Sequence, residues 1–387
     1  VTRGPLDPER AARVVLSRVG EPGDPRLTGL VAELGAVTVL ESLREQGLAG
    51  QLREDLAARL ERVDPVVELE RAARLGIRFL TPADDEWPRG VDDLAHGPLL
   101  HERGGVPVGL WAKGSARLDS STARCVAVVG SRSATTYGAA VAGEIAATLG
   151  AAGRTVVSGA AFGIDQAAHR GALAVEGPTI AVLACGVDRA YPAAHKPLLD
   201  HIADVGAVVS EAAPGCAPTR IRFLARNRLI AAMSQGTLVV EAAIRSGALN
   251  TANWAASLSR TLMGVPGPVT SAPSVGVHQL IRARGALLVT DGHEVLEAVS
   301  PAGEHTVASL HAEPHARDLL TAEQRQVLDA VPVQRGAEAA QIARTAGVAA
   351  VRVTAALGVL SAAGLVEHAA GRWRLASGDR DAVAPAG

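Results

Sequence analysis

The chain predicts an α/β protein built on a doubly wound, mostly parallel sheet. Three observations lead there. Through residues 120–299, apolar runs alternate with helix-like segments, the order that yields parallel strands joined by helical crossovers. Two successive runs, Val126-Ala127-Val128-Val129 and Thr155-Val156-Val157, each stop at a small polar turn: Gly130-Ser131-Arg132 and Ser158-Gly159. In a parallel sheet such turns meet at the carboxyl ends of the strands, where ligands bind. Free N–H groups at the following helix starts favour an anion there, and Arg132 adds a bidentate phosphate donor.

The flanking elements follow in order. Residues 1–75 read as a small helical module. Asp7 is placed to cap a helix over Pro8–Arg18, and Glu21-Pro22-Gly23-Asp24-Pro25 is a breaker cluster. Two further helices are expected over Leu27–Leu34 and Val37–Glu45, then a charged one around Gln51–Arg62. Ile77–Pro82, Leu99-Leu100 and Val108–Ala112 read as short strands leading into a core that spans 76–299. Further strands are expected at Thr179–Leu183, Ala207–Ser210, Thr237–Val240, Thr261–Val265 and Ala286–Val289. Helices fall between them near 137–150, 165–175, 195–205, 223–234, 249–259 and 276–284. A Pro- and His-bearing linker covers 300–320. Three helical segments and two short strands over 321–376 predict a winged helix, and 377–387 reads as a disordered tail.

Composition narrows the function classes. The formal charge of −2 excludes a globally basic nucleic-acid binder, but the regional balance is uneven. Residues 1–75 carry 11 basic against 13 acidic side chains, and 120–299 carry 14 against 11. With 6 against 4, the segment 321–376 is the other positive region, so a polyanion is expected at one of these two. The three cysteines, Cys125, Cys185 and Cys216, are widely spaced and form no metal or redox pair. Cys125 and Cys185 lie in or beside apolar runs and are expected as buried thiols, which fits a reducing cytoplasm. No apolar stretch approaches the roughly 20 residues of a membrane helix, and the first 30 residues lack an apolar secretory core. Neither a membrane association nor a cofactor is expected.

Gly130-Ser131-Arg132 is neither a G-x-G-x-x-G fingerprint nor a Walker A loop. Phosphate binding and an ordinary turn with a surface arginine both stand on these residues alone. Arg220, Arg222, Arg226 and Arg228 form the densest basic cluster, with Asn227 among them and no acidic residue between Glu211 and Glu241. A phosphate-facing patch is the expectation. Phe223 beside it is expected to pack in the core, base stacking being the other use. Ser246-Gly247 opens another helix start after an apolar strand. Asp165 is expected to cap the helix carrying His169, and His169 to hydrogen-bond internally, rather than the two forming an acid–base pair. Glu241 is expected to accept hydrogen bonds from the Ser246-Gly247 backbone. In the winged helix the segment Val348–Ala362 carries one charge, Arg352, too few for a groove-reading helix.

Taken in order, these segments resemble the DNA-processing protein A family (DprA, also called Smf). The resemblance rests on Val128-Val129-Gly130-Ser131-Arg132, Val157-Ser158-Gly159, Gly163-Ile164-Asp165 with His169, and Ala181–Gly186. Tyr191-Pro192, Ser210-Glu211, Phe223 with Arg226-Asn227-Arg228, Val239–Ala242, Ser246-Gly247 and Val265-Pro266-Gly267 complete it. It is strong over about 76–299. It implies an extended Rossmann-like core that binds single-stranded DNA, dimerises, and loads RecA recombinase onto incoming strands during natural transformation, helping to overcome single-strand-binding protein, without catalysis. Carried over by position, Arg132 and Lys196 would hold phosphate, and Ser131, Ser158, Gly159, Asn227 and Arg228 would line the pocket. The turns and the arginine cluster add Gly130, Arg226, Ser246 and Gly247 to the candidate DNA-binding set.

The sequence departs from the family pattern in three places. Phe162 stands where arginine is expected, Leu224 where proline is expected, and asparagine is absent near His195. A rival enzyme class has a similar fold, the LOG-type phosphoribohydrolases of nucleoside monophosphates. Their P-G-G-x-G-T-x-x-E loop corresponds here to Met233–Glu241, which lacks the double glycine. A transcription regulator acting through the winged helix is a third reading, opposed by its nearly uncharged recognition segment.

Overall fold

Asp-Pro pairs open three N-terminal helices. In chain order the N-terminal helices are α1 (Pro8–Val19), α2 (Pro25–Leu34), α3 (Ala36–Arg44) and α4 (Pro65–Arg74), and α1, α2 and α4 are the three opened in this way. Asp7, Asp24 and Asp64 each accept a first-turn backbone N–H, and proline occupies the first helical position, where its missing N–H is not needed. The second half of the breaker cluster is therefore a helix start. The computed structural model describes residues 6–45, 54, 56, 59, 60, 62–306 and 316–376. Most of the helix expected around Gln51–Arg62, and the tail from 377, lie outside the described residues.

The central sheet has nine strands: β1 (Ile77–Leu80), β2 (Leu110–Lys113), β3 (Cys125–Val129), β4 (Thr155–Ser158), β5 (Thr179–Val182), β6 (Ala207–Ser210), β7 (Gly236–Val239), β8 (Thr261–Gly264) and β9 (Leu287–Leu288). Their order is β1-β2-β6-β5-β4-β3-β7-β8-β9. All pairs from β6 to β9 are parallel, and the β1–β2 and β2–β6 pairs are antiparallel. Starting at β3, the chain winds outward through β4, β5 and β6, then returns to β7 on the other side. The order reverses between β3 and β7, with Val129 opposite Val239. Leu99-Leu100 is not a strand; Leu100 makes only a one-residue bridge with Arg103.

Helices cover both faces: α5 (Leu118–Ala123), α6 (Thr136–Ala151), α7 (Ile164–Ala174), α8 (Lys196–Val205), α9 (Arg220–Met233), α10 (Ala248–Ser257), α11 (Val275–Arg284) and α12 (Gly292–Val299). Alternation along β3 shows why. Val126 and Val128 pack with Ile145 of α6, Ala168 of α7 and Leu296 of α12. Ala127 and Val129 pack with Leu229 of α9, Trp254 of α10 and Val277 of α11. A strand apolar on both faces needs a helix layer on each. Cys125 joins the second layer, and burial pushes its thiol up to about 12.

Two compact units result, residues 1–307 and 308–387. The N-terminal helices belong to the first, where Val14 and Ala72 share a core with Phe79 and Trp111. In the second, α13 (Ala322–Asp329), α14 (Ala339–Ala346) and α15 (Ala350–Ala362) enclose Val327, Leu357 and Leu360 against a hairpin of β10 (Val366–Ala369) and β11 (Arg372–Leu375). Arg352 of α15 pairs with Glu323 at 3.0 Å. Among the described residues, no single helix is long and apolar enough to cross a membrane.

Candidate functional site

A cleft of about 750 Å³ opens where the strand order reverses, at the carboxyl ends of β3 and β7. Its walls are the Gly130-Ser131-Arg132 turn after β3, the first half of α9, and the Arg245-Ser246-Gly247 turn that leads into α10. The first turn is clamped by its neighbours. Ser131 donates its N–H to the Glu241 carbonyl (2.7 Å), and its own carbonyl accepts from Ile164 (3.1 Å). The Glu241 carboxylate accepts from the N–H (3.0 Å) and hydroxyl (2.5 Å) of Thr135, the residue that caps α6. Gly163 holds φ at +80°, and a Cβ there would lie 2.3 Å from the Ser131 carbonyl, so only glycine lets α7 start this close.

The cleft's charge is lopsided. Arg132, Arg220, Arg226 and Arg245 line it against one acidic side chain, Asp165. Arg132, Arg220 and Arg245 are exposed, and no ion pair engages them among the described residues. The Arg132 guanidinium lies 4.7 Å from the Phe223 ring centre, close enough for a cation–π contact. Tyr191, 44% exposed, sets its ring 5.6 Å from that of Phe223.

Beneath this surface sits a buried polar layer. Arg226, 6% exposed, donates to the Val182 carbonyl (3.2 Å), and its Nε has no partner. Burial pushes the Asp165 carboxyl up and the Arg226 guanidinium down, each offset in part by the other's charge. Arg226 remains a cation, and its field in this low-dielectric layer reaches the cleft. Gly159 makes room for it: a Cβ would fall 1.2 Å from Arg226 Nη1. Gly159→Ala should therefore lower stability by about 1–3 kcal/mol. The same change on an Arg226→Ala background should lower it by far less, as a double-mutant cycle of urea unfolding would measure.

His169 bonds through Nδ1 to the Thr179 hydroxyl (2.8 Å) and is fully buried. Desolvation lowers its pKa from 6.5 to about 3, helped by the nearby His195 and Arg226. The unfolded chain therefore binds a proton that the folded one refuses between these values. This stabilising contribution is complete above pH 6.5 and falls away as pH drops toward 3. Wild type should lose more stability between pH 7 and pH 4 than His169→Gln does, in thermal melts across that range.

The structure brings Gly130, Ser131, Arg132, Arg226, Asn227, Ser246 and Gly247 to one cleft. Asn227 donates to the Gly247 carbonyl (3.3 Å) and to Asn250 (3.2 Å), tying α9 to the second turn. Gly159 lies one layer below. Three expected residues are placed elsewhere. Ser158 is buried and donates to the Val128 carbonyl (2.6 Å). Lys196 is exposed beside a separate pocket and pairs with Asp200 at 2.5 Å. Arg228 is fully buried in a two-bond pair with Glu211, at 2.5 and 2.8 Å. The arginine cluster is thus divided, because Arg222 also pairs, with Glu21 at 2.8 Å.

Other expectations change as well. Asp165 does not cap α7; Gly163 holds that position, and the Asp165 carboxylate accepts instead from the Ala161 N–H (3.4 Å). Glu241 serves Thr135 rather than the Ser246-Gly247 backbone. Phe223 is half-buried on the cleft wall. Arg245 was not singled out from sequence, although it immediately precedes the Ser246-Gly247 turn, and Tyr191 entered only through the Tyr191-Pro192 resemblance, not as a site residue.

An open doubly wound sheet with free guanidinium groups and half-exposed rings at its switch point is a Rossmann-like fold with a cleft suited to a polyanion. The chain belongs to the DNA recombination-mediator protein A family (DprA/Smf), whose model matches residues 78–300. It is 44% identical over 373 residues to the DprA relative of Mycobacterium tuberculosis H37Rv, covering 96% of this chain and 95% of that one. With DNA processing protein DprA of Streptococcus pneumoniae it shares 37% identity over 257 residues, 66% of this chain and 88% of the relative. The crystal structure of the Streptococcus pneumoniae protein superimposes with a TM-score of 0.62 at 29% identity, over 77% of this chain and all of that one.

Proposed function

We propose that the switch-point cleft binds single-stranded DNA, and that the protein, as a homodimer, delivers the strand to RecA recombinase during DNA uptake without catalysing a reaction. One observation carries the DNA reading. Arg132 is exposed, free of ion pairs among the described residues, and lies against the Phe223 ring. A fixed cation beside an aromatic face serves one nucleotide of an unpaired strand, phosphate on one and base near the other. A duplex keeps its bases stacked inside and offers the ring nothing. Membership of a recombination-mediator family supports the delivery step. Against the phosphoribohydrolase alternative, the Glu241 carboxylate is buried and occupied by Thr135.

Fluorescence anisotropy with labelled oligo-dT and a matched duplex tests the DNA reading. Preferential binding of oligo-dT that weakens with salt is expected; equal or stronger duplex binding contradicts it. RecA filament growth on strands coated with single-strand-binding protein tests delivery, and acceleration by this protein is the expected result. Sedimentation equilibrium tests the dimer.

A further inference from the structure

We infer that Phe162 is a second nucleobase platform, which makes binding at the cleft's rim depend on stacking. The inference rests on the DNA reading above and adds a specificity-determining residue to the same site. Phe162 is 46% exposed in a chain with only three phenylalanines. Its neighbours fix it at the rim. Ala161 before it lines the cleft, and Gly163 after it abuts the backbone of Ser131 and Arg132. The ring is not loose, because it stands edge-on to His195 with centroids 4.6 Å apart. His195 is itself buried and anchored through Nδ1 to the Ala160 carbonyl at 2.9 Å. His195 and Tyr191 lie in one short segment, so Phe162 packs against the same segment that carries the Tyr191 ring of the cleft wall. An exposed, braced ring next in sequence to a cleft-lining residue is what a splayed-out base stacks on.

Anisotropy titrations of wild type, Phe162→Ala and Phe162→Trp test this with oligo-dT and with an abasic oligonucleotide of equal length. Thermal melts check that the variants fold. The expected result is a loss of about 5- to 100-fold in oligo-dT affinity for Phe162→Ala, with binding retained in Phe162→Trp. The salt slope should be unchanged, since no phosphate contact is removed. On the abasic strand, Phe162→Ala and wild type should bind alike. Phe162→Ala that matches wild type on oligo-dT overturns this inference alone, as does an equal loss on both strands. Wild type that ignores oligo-dT overturns the inference together with the DNA reading.

Discussion

Glu211→Ala should lower the unfolding free energy by about 3–5 kcal/mol, the cost of leaving a buried guanidinium without its carboxylate. The Arg228 side chain is 0% exposed and that of Glu211 8%. Their two hydrogen bonds are short and parallel, Arg228 Nη1 also donates to the Ala225 carbonyl (3.0 Å), and two longer-range bonds complete the network. Glu211 accepts the Gly23 N–H (3.1 Å), and Arg228 Nε donates to the Gly105 carbonyl (3.2 Å). Removing the carboxylate thus strands a cation and a backbone amide together. The melting temperature should drop by roughly 5–15 °C. Replacing both partners with apolar residues, Glu211→Leu with Arg228→Met, should recover much of the loss, because the pair's desolvation penalty disappears with it. Thermal and urea unfolding measure both. A single variant that melts like wild type would show that the pair is not buried.

Arg132→Glu should reduce oligo-dT affinity by roughly 100-fold or more while leaving the melting temperature unchanged. A hydrogen bond to a charged group contributes about 1.5–3 kcal/mol, and the substitution also places an anion against a polyanion. Arg132 is exposed, and among the described residues its guanidinium rests only against the face of Phe223, so stability has little to lose. The two variants therefore separate cleanly: Glu211→Ala acts on folding, and Arg132→Glu acts on binding. Anisotropy and thermal melts on the same samples reveal any mixing of the two.

Much of the fold was legible because its signals are local. Apolar runs such as Val126–Val129 stop at their turns within a few residues, and Asp7 marks the first helix start, whereas the starts at Asp24-Pro25 and Asp64-Pro65 went unread. The cleft was legible for a similar reason, since Gly130-Ser131-Arg132 and Ser246-Gly247 are strand-end turns that a parallel sheet must bring to one edge. Arg228 was misread because its partner is distant. Glu211 lies 17 positions away, and the Glu21 that pairs with Arg222 lies 201 away. The acid-free interval around the arginines carried no trace of either. Lys196 is different: its pairing with Asp200 is an i,i+4 contact, which spacing on a helix already suggests. Asp165 lost its capping role to a backbone fact, the positive φ of Gly163, which forces the helix to begin before the aspartate. Phe223 was expected in the core, and only the tertiary placement of Arg132 over its ring explains why it stays at the surface.

The most direct measurement is the salt dependence of oligo-dT binding for wild type beside Arg132→Ala. Single-strand binding loses about 0.7 in log–log slope for each phosphate contact removed. If Arg132 holds a phosphate, the variant's line should be shallower by about 0.7 and lie below wild type throughout the low-salt range. Coincident lines would contradict the assignment of this cleft to the DNA backbone.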